Sequence, residues 1–326
     1  MTSFDISSQQ RIKNWNQNLD RKVTITLKTT AHTEDNLFIN IAGEFEKSAS
    51  QVHIQKSEES SGLPGFTISD NFMFCALPMQ KELSPFLDAV TQFHIKKPHL
   101  PEAQTGLLEK VTVPVSLKLY IALQCPHCPV MVGTLSSLCA RNPKLMLTII
   151  DGSLFLDVAQ KDKVMAAPCL ILDDDFRWTG NVSAEEILEM IIKRDPAALG
   201  VESLKNILEQ GDASWITGQM MEHGKIFDNF IALLLHETWS VRLGAMVIVE
   251  ELAAEAPELA KEMCSPLTAV FSDKDTTVQG DILYAFGEAG GLDIAAWIEE
   301  QMPTFSHPDL KDAAIDAIES IKERHE

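Results

Sequence analysis

The segment "KVTITL" (22–27) alternates polar and apolar positions, the pattern of a strand with one covered face. The pattern returns in "PVSLKL" (114–119), where Val23 falls on Val115 and Leu27 on Leu119, an offset of 92. A second set of landmarks lies further along. In "LPGFTISDNF" (63–72) and "APCLILDDDF" (167–176), Pro64 and Pro168, Phe66 and Leu170, Ile68 and Leu172, Asp70 and Asp174, and Phe72 and Phe176 are each 104 positions apart. Each copy reads as strand, helix, strand, proline, strand, strand and a closing helix, "KELSPFLDAVTQF" in the first and "SAEEILEMIIKRD" in the second. Alternating elements of this kind predict an α/β sheet, with one unit over residues 1–100 and its repeat over 101–198. The second copy carries twelve more residues between the two sets of landmarks (104 less 92).

After "KRDPAALG" (193–200) only helical spacing remains. Helix starts recur at "TWSVRLGAMVIVEELAAEA" from 238, "DTTVQGDILYAFGEAGG" from 275 and "HPDLKDAAIDAIESIKER" from 307. Val241, Val278 and Leu310 hold the same register, 37 and 32 residues apart. "PELAKEMCSPLTAVFSD" (257–273) and "LDIAAWIEEQMPTF" (292–305) read as the alternating second helices. Residues 199–326 resemble HEAT-like helical repeats, which implies an α-solenoid that buries its faces between neighbours and offers an extended surface to a partner. The predicted fold class is therefore α/β plus all-α.

Charge sharpens this division. The formal net charge is -20, and residues 199–326 hold 24 Asp and Glu against 8 Lys and Arg, which is -16 of that total. Such a surface repels phosphate polymers and anionic lipid, so neither nucleic acid nor a membrane is expected as a partner, whereas a basic patch on a protein is compatible. The first residues lack a basic stretch followed by an apolar one, and runs such as "FIALLL" are too short to span a bilayer; a cytoplasmic protein is expected. "HETWS" (236–240) has Ser240 where a zinc-protease motif needs its second histidine, and no G-x-G-x-x-G follows a strand.

Of six cysteines, only Cys125 and Cys128 form a local pair, in "QCPHCPVMVGTL". The preceding "VSLKLYIAL" reads as a strand, and "PVMVGTLSSLCAR" places Val132, Leu135, Leu138 and Cys139 at helical spacing. The pair then sits at a strand-to-helix junction, where free N–H groups and the helix dipole favour a thiolate. Cys125 is the expected nucleophile and Cys128 the resolving thiol, together a redox-active disulfide with no bound cofactor. Pro126 and His127 separate them, and a protonated His127 would stabilise the Cys125 thiolate further. Pro168, just before an apolar strand, is the expected place for a cis-proline facing the cysteines and orienting a substrate segment. A zinc site from Cys125, His127 and Cys128 lacks a suitably spaced fourth ligand, so no metal is expected. Cys139 and Cys169 read as small buried hydrophobes. Carried back by 92, "CPHC" lands on Thr33, Glu34, Asp35 and Asn36, so the first copy has no cysteine pair.

The stretches "ALPMQKEL", "PEAQTGLLE", "QCPHCPVMVGTL", "IIDGSLF" and "VMAAPCLIL", in this order over residues 1 to 196, resemble the N-terminal domain of the alkyl hydroperoxide reductase flavoprotein subunit. The resemblance implies two tandem thioredoxin-like folds, the second redox-active, that carry electrons by dithiol-disulfide exchange from a flavin centre to a peroxiredoxin. It assigns the nucleophilic and resolving roles to Cys125 and Cys128 and places the family's acidic residue at Glu82 in "MQKEL". A first-turn carboxylate at Glu82 also suits the helix dipole alone. Here Pro126 and His127 stand where the family usually has His-Asn, a change toward the dipeptide of strong disulfide oxidants. The flavin and nicotinamide domains have no counterpart in the sequence, so electrons are expected from an external thiol or a thioredoxin reductase-like flavoprotein. Two functions follow: a protein disulfide oxidoreductase, or a redox-sensing adaptor whose cysteine pair regulates binding by the helical repeats.

Overall fold

The computed structural model describes residues 3–174, 176–209 and 211–325. Residues through Arg194 form one compact unit and those from Asp195 a second. In the first unit the order is α1 (Ile6–Gln17), β1 (Val23–Thr29), α2 (Asp35–Ser48), β2 (Val52–Glu58), β3 (Gly65–Ser69), β4 (Phe72–Cys75) and α3 (Leu83–His94). There follow α4 (Glu102–Leu108), β5 (Val115–Ile121), α5 (Cys128–Arg141), β6 (Leu145–Asp151), α6 (Leu156–Lys161), β7 (Cys169–Leu172), β8 (Phe176–Thr179) and α7 (Ala184–Lys193).

All eight strands join one sheet in the order β2-β1-β3-β4-β6-β5-β7-β8. The two halves have the same internal order: a first strand flanked by a parallel second and an antiparallel third, with the fourth outside the third. Parallel pairing of β4 with β6 joins them, Phe72 opposite Leu147 and Cys75 opposite Ile150. The expected boundary at 100/101 therefore lies in a connection inside one sheet and one continuous core. Burial explains the strand sequences. β1 alternates covered and open positions, whereas β5, between β6 and β7, is buried at all but Lys118, as a strand covered on both faces must be.

Equivalent helices α2 and α5 are each 14 residues long and start at Asp35 and Cys128, an offset of 93. The offset of 92 expected for this segment is thus short by one, because the connection from β5 to α5 is one residue longer than that from β1 to α2. Cys125 corresponds to His32 and Cys128 to Asp35, in place of the expected Thr33 and Asn36 as the outer positions. The extra residues of the second half fall between β6 and β7, where they build α6. Phe155, just before α6, reaches the first half: it is fully buried, stacked on Phe38 at 6.2 Å and edge-on to His32 at 5.1 Å.

The regular elements among the described residues of the second unit are all helical, the α-helices being α8 (Val201–Glu209), α9 (Ala213–His223), α10 (Phe230–Leu234), α11 (Trp239–Glu255), α12 (Pro257–Ala260), α13 (Cys264–Val270), α14 (Thr276–Ala289), α15 (Leu292–Gln301) and α16 (Pro308–Glu323). The N-caps of α11, α14 and α16 are Thr238, Asp275 and His307, where the sequence places the starts. Val241, Val278 and Leu310 are each buried at the third position of their helix, α11 packs on α14, and α14 on α16. Segment 257–273 departs from the single helix expected: it divides into α12, two 3₁₀ turns and α13, since Pro266 fits only the first turn of a new helix. Buried Arg242 ties the bundle together, donating to Asp281 of α14 and to the carbonyls of His236 and Glu237 ahead of α11. No helix among the described residues is long and apolar enough to cross a membrane.

Candidate active site

Strand β5 ends at Ile121, and four residues later the chain turns back on itself, the Cys125 N–H donating to the Ala122 carbonyl at 2.8 Å. Helix α5 begins at Cys128 with Pro129 in its first turn, a position where the missing N–H costs nothing. Within this junction Cys125 Sγ accepts the N–H of Cys128 at 3.2 Å and lies 3.6 Å from the carbonyl oxygen of Ala167. The bond from Ala167 to Pro168 is cis. Pro168 is buried, and its carbonyl accepts from Gly180 N–H at 2.8 Å. Cysteine pair and proline, distant in sequence, thus meet at one place.

The two thiols have different surroundings. Cys125 is partly exposed, at the N-terminus of α5, where an amide already points at its sulfur. Cys128 is fully buried, and burial, then its hydrogen bond with Cys125, pushes its thiol well above the ordinary range. All six cysteines are free; Cys75, Cys139, Cys169 and Cys264 are buried. Pro126 and His127 are exposed, and His127 occupies the N-cap position without a side-chain capping hydrogen bond. The imidazole therefore faces solvent.

Glu82 comes from the first half, on the 3₁₀ turn Gln80–Glu82 that leads into α3. It is fully buried, and neither carboxylate oxygen has a hydrogen-bond partner. Burial, then the charge of Asp151, pushes its carboxyl up to about 7. Its charge in turn contributes to raising Cys128. Parallel pairing of β4 with β6 accounts for this meeting, since the ends of both strands point to the same edge as β5. Two further neighbours lie in stretches that carry the family resemblance but are singled out by nothing in the local pattern. Asp151, at the end of β6, is buried and raised by burial, although its carboxylate accepts the N–H groups of Ser153 and Leu154. Lys81 donates to the carbonyl of Gln124, one residue before Cys125, at 3.1 Å. Asp151 lies in "IIDGSLF", where nothing in the local pattern marks an acid at a strand end, and Lys81 is one lysine among many.

Beside the thiol runs an open groove of about 510 Å³, bounded by Ile121 and Ala122 of the β5 end, Leu156 and Ala159 of α6, and Met165 and Ala167 of the proline loop. Met165 is 94% exposed and Leu156 60%. No group of three or more His, Cys, Asp or Glu side chains among the described residues is arranged to hold a metal ion.

Residues 115–193, the stretch from β5 through α7, match the family model of the thioredoxin domain. Among individual proteins, the chain is similar to the F subunit of alkyl hydroperoxide reductase of Pseudomonas putida, 29% identical over 147 residues, which are 44% of this chain and 27% of that protein. It is also similar to an NADH dehydrogenase of Bacillus subtilis (strain 168), 24% identical over 171 residues, 50% of this chain and 33% of that one. The chain spans about a third or less of these curated relatives. In fold, it is like the NTD_N/C domain of alkylhydroperoxide reductase AhpF from Enterococcus faecalis (V583), with a TM-score of 0.50, 18% identity, and coverage of 58% of this chain and 99% of that one. A protein disulfide oxidoreductase from Aeropyrum pernix K1 gives a TM-score of 0.52 at 13% identity, covering 59% and 94%. The chain thus combines a thioredoxin-like α/β region, similar to the N-terminal domain of AhpF, with a helical C-terminal part.

Proposed function

We propose that the chain is a protein thiol-disulfide oxidoreductase that works through Cys125 and Cys128. The carrying observation is Cys125 Sγ, partly exposed, accepting the first amide of α5 while the Ala167–Pro168 segment lies across from it. The Cys125 thiolate attacks one sulfur of a partner disulfide; the partner S–S bond breaks, a mixed disulfide forms, and the released partner sulfur takes a proton. Cys128 then gives up its proton, with the Glu82 carboxylate as acceptor, and attacks Cys125 Sγ. The Cys125–Cys128 disulfide forms, the second partner sulfur leaves as a thiol, and the partner has gained two electrons. An external thiol or a thioredoxin reductase-like flavoprotein restores the dithiol. Pro168 and the groove beside it hold the partner's chain, while Pro126 and His127 set the poise of the pair. His127, in solvent, acts as a charge when protonated and makes no fixed bond to the sulfur.

Similarity to the F subunit of alkyl hydroperoxide reductase supports a peroxiredoxin-type protein as the partner. The matching strand orders support two tandem thioredoxin-like folds, of which the first has lost its chemistry: His32 stands at the place of Cys125 and is packed against Phe155. Equal helix registers support a HEAT-like solenoid in the second unit, which recruits partners. Six free cysteines support a reducing compartment such as the cytoplasm.

The test uses a protein disulfide and a dithiol donor. The intact chain should catalyse reduction, Cys125→Ser should abolish it, and Cys128→Ser should accumulate a mixed disulfide with the substrate. An adaptor would instead capture a partner in a redox-dependent way with little turnover, and unchanged turnover in Cys125→Ser would overturn the proposal.

A further inference from the structure

The helical unit leaves an apolar strip uncovered. On α11, Trp239, Leu243 and Val247 follow one another at intervals of four residues on one side of the helix, 58%, 44% and 39% exposed. Tyr284 of α14, also exposed, donates its hydroxyl to Glu250 of α11 at 2.7 Å, which holds the ring beside the same helix. Beyond that ring a cleft of about 260 Å³ opens between α14 and α16, lined by Gly280, Tyr284, Glu288, Asp316, Ala317 and Ser320 among others. Gly287 forms part of its floor: a Cβ there would come within 3.3 Å of the Ala317 backbone, so the two helices meet closely and the slot is narrow.

Charge selects what fits. Both charged residues lining the cleft, Glu288 and Asp316, are acidic. Residues 199–326 around them hold 24 acidic against 8 basic residues. Residues 1–198 hold the remaining 23 and 19, so a second copy of this chain is net acidic in both parts and is a poorer match than a basic partner. Phosphate polymers are repelled.

We propose that this face binds a basic amphipathic helix of a partner protein. The apolar side of that helix lies on Trp239, Leu243 and Val247, and one arginine enters the cleft, its guanidinium flat on the Tyr284 ring and paired with Glu288 and Asp316. Arginine suits the slot better than lysine because its planar group stacks on an aromatic face and bonds carboxylates in pairs. The inference rests on the reading of the helical unit as a recruiting module and names the kind of partner that module takes.

The experiment measures fluorescence anisotropy of a labelled amphipathic helical peptide, leucine on one side and arginine on the other, titrated with the full chain. Saturable binding that weakens with salt is expected, with no binding of the same peptide carrying glutamate for arginine. Tyr284→Ala and Glu288→Lys should each weaken it about tenfold or more, as loss of an anchor does. Tyr284→Phe keeps the ring and should bind nearly as the parent does. Glu262→Lys makes the same change of charge at an exposed site outside this face and should have little effect. No binding of the arginine peptide, or equal losses in Glu262→Lys and Glu288→Lys, would overturn the inference. Disulfide reduction through Cys125, assayed on the same preparations, separates the two readings: exchange without peptide binding rejects the docking site alone, and peptide binding without exchange rejects the redox function alone.

Discussion

Cys125 and Cys128 are three positions apart and chemically unequal. An amide and partial exposure suit the first to attack, and complete burial favours the thiol form of the second, which in the proposed mechanism reacts only once a mixed disulfide has formed. In the proposed mechanism Glu82 serves Cys128 as the nearby group that takes and returns a proton, since burial raises its carboxyl to about 7. The same property costs stability, and the sign is definite. Below the ordinary carboxyl value of 4.5 Glu82 is protonated in folded and unfolded chains alike; as pH rises from 4.5 to 7 the unfolded chain ionises first, and above about 7 the cost is complete. That shift corresponds to a penalty on the order of 3 kcal/mol. Glu82→Gln should therefore unfold at higher temperature than the parent at pH 8 and at the same temperature at pH 4. In single-turnover measurements it should also slow resolution of a mixed disulfide by ~10²-fold and flatten its pH dependence near 7. Equal melting temperatures at pH 8 would show that Glu82 is solvated, and unchanged resolution would remove it from the proton path.

Among the elements, α6 and the connection leading into it distinguish the two halves. Phe155, ahead of α6, fills the place beside His32, so Phe155→Ala should destabilise the chain by about 3–5 kcal/mol in urea unfolding, since a fully buried ring is lost. Leu156 and Met165 wall the groove beside Cys125 and are exposed, so Met165→Asp should leave folding intact. It should lower kcat/KM for a protein disulfide about tenfold while sparing a small-molecule disulfide, if the groove holds the partner's chain as proposed. The repeated strands are legible in the sequence because β1 and β5 keep their apolar positions in step, and the closing helices because their periodicity and the Ser183 N-cap are local. Pairing of β4 with β6 is not legible, since short apolar strands carry no mark of which neighbour they take, and with it go Asp151 and Lys81, which join the site only through that pairing. Local spacing likewise places His127 beside Cys125 in sequence, whereas the start of α5 turns its ring outward.

At the scale of the molecule, the boundary after Arg194 has a physical basis. The Arg194 guanidinium is buried against Asp173 at 2.9 Å and donates to the carbonyls of Ile191 and Pro114, pinning α7 to the start of β5. A chain ending just after the ion pair should fold and retain exchange with a small disulfide, whereas Arg194→Ala in the full chain should cost about 3–5 kcal/mol, the consequence of removing the cation from a buried ion pair. The helical unit carries most of the negative charge, and under the proposed function it serves to recruit partners. The central claim is that Cys125 and Cys128 exchange two electrons as a pair. Equilibration of the full chain in defined thiol redox buffers, followed by alkylation and mass measurement, tests it most directly. One two-electron transition is predicted, absent from both Cys125→Ser and Cys128→Ser, with a midpoint near about -270 mV as reduction of a partner disulfide requires; a midpoint of about -120 to -180 mV would reverse the proposed direction of electron flow. Two thiols that stay independently reactive across the whole range of buffers would contradict it.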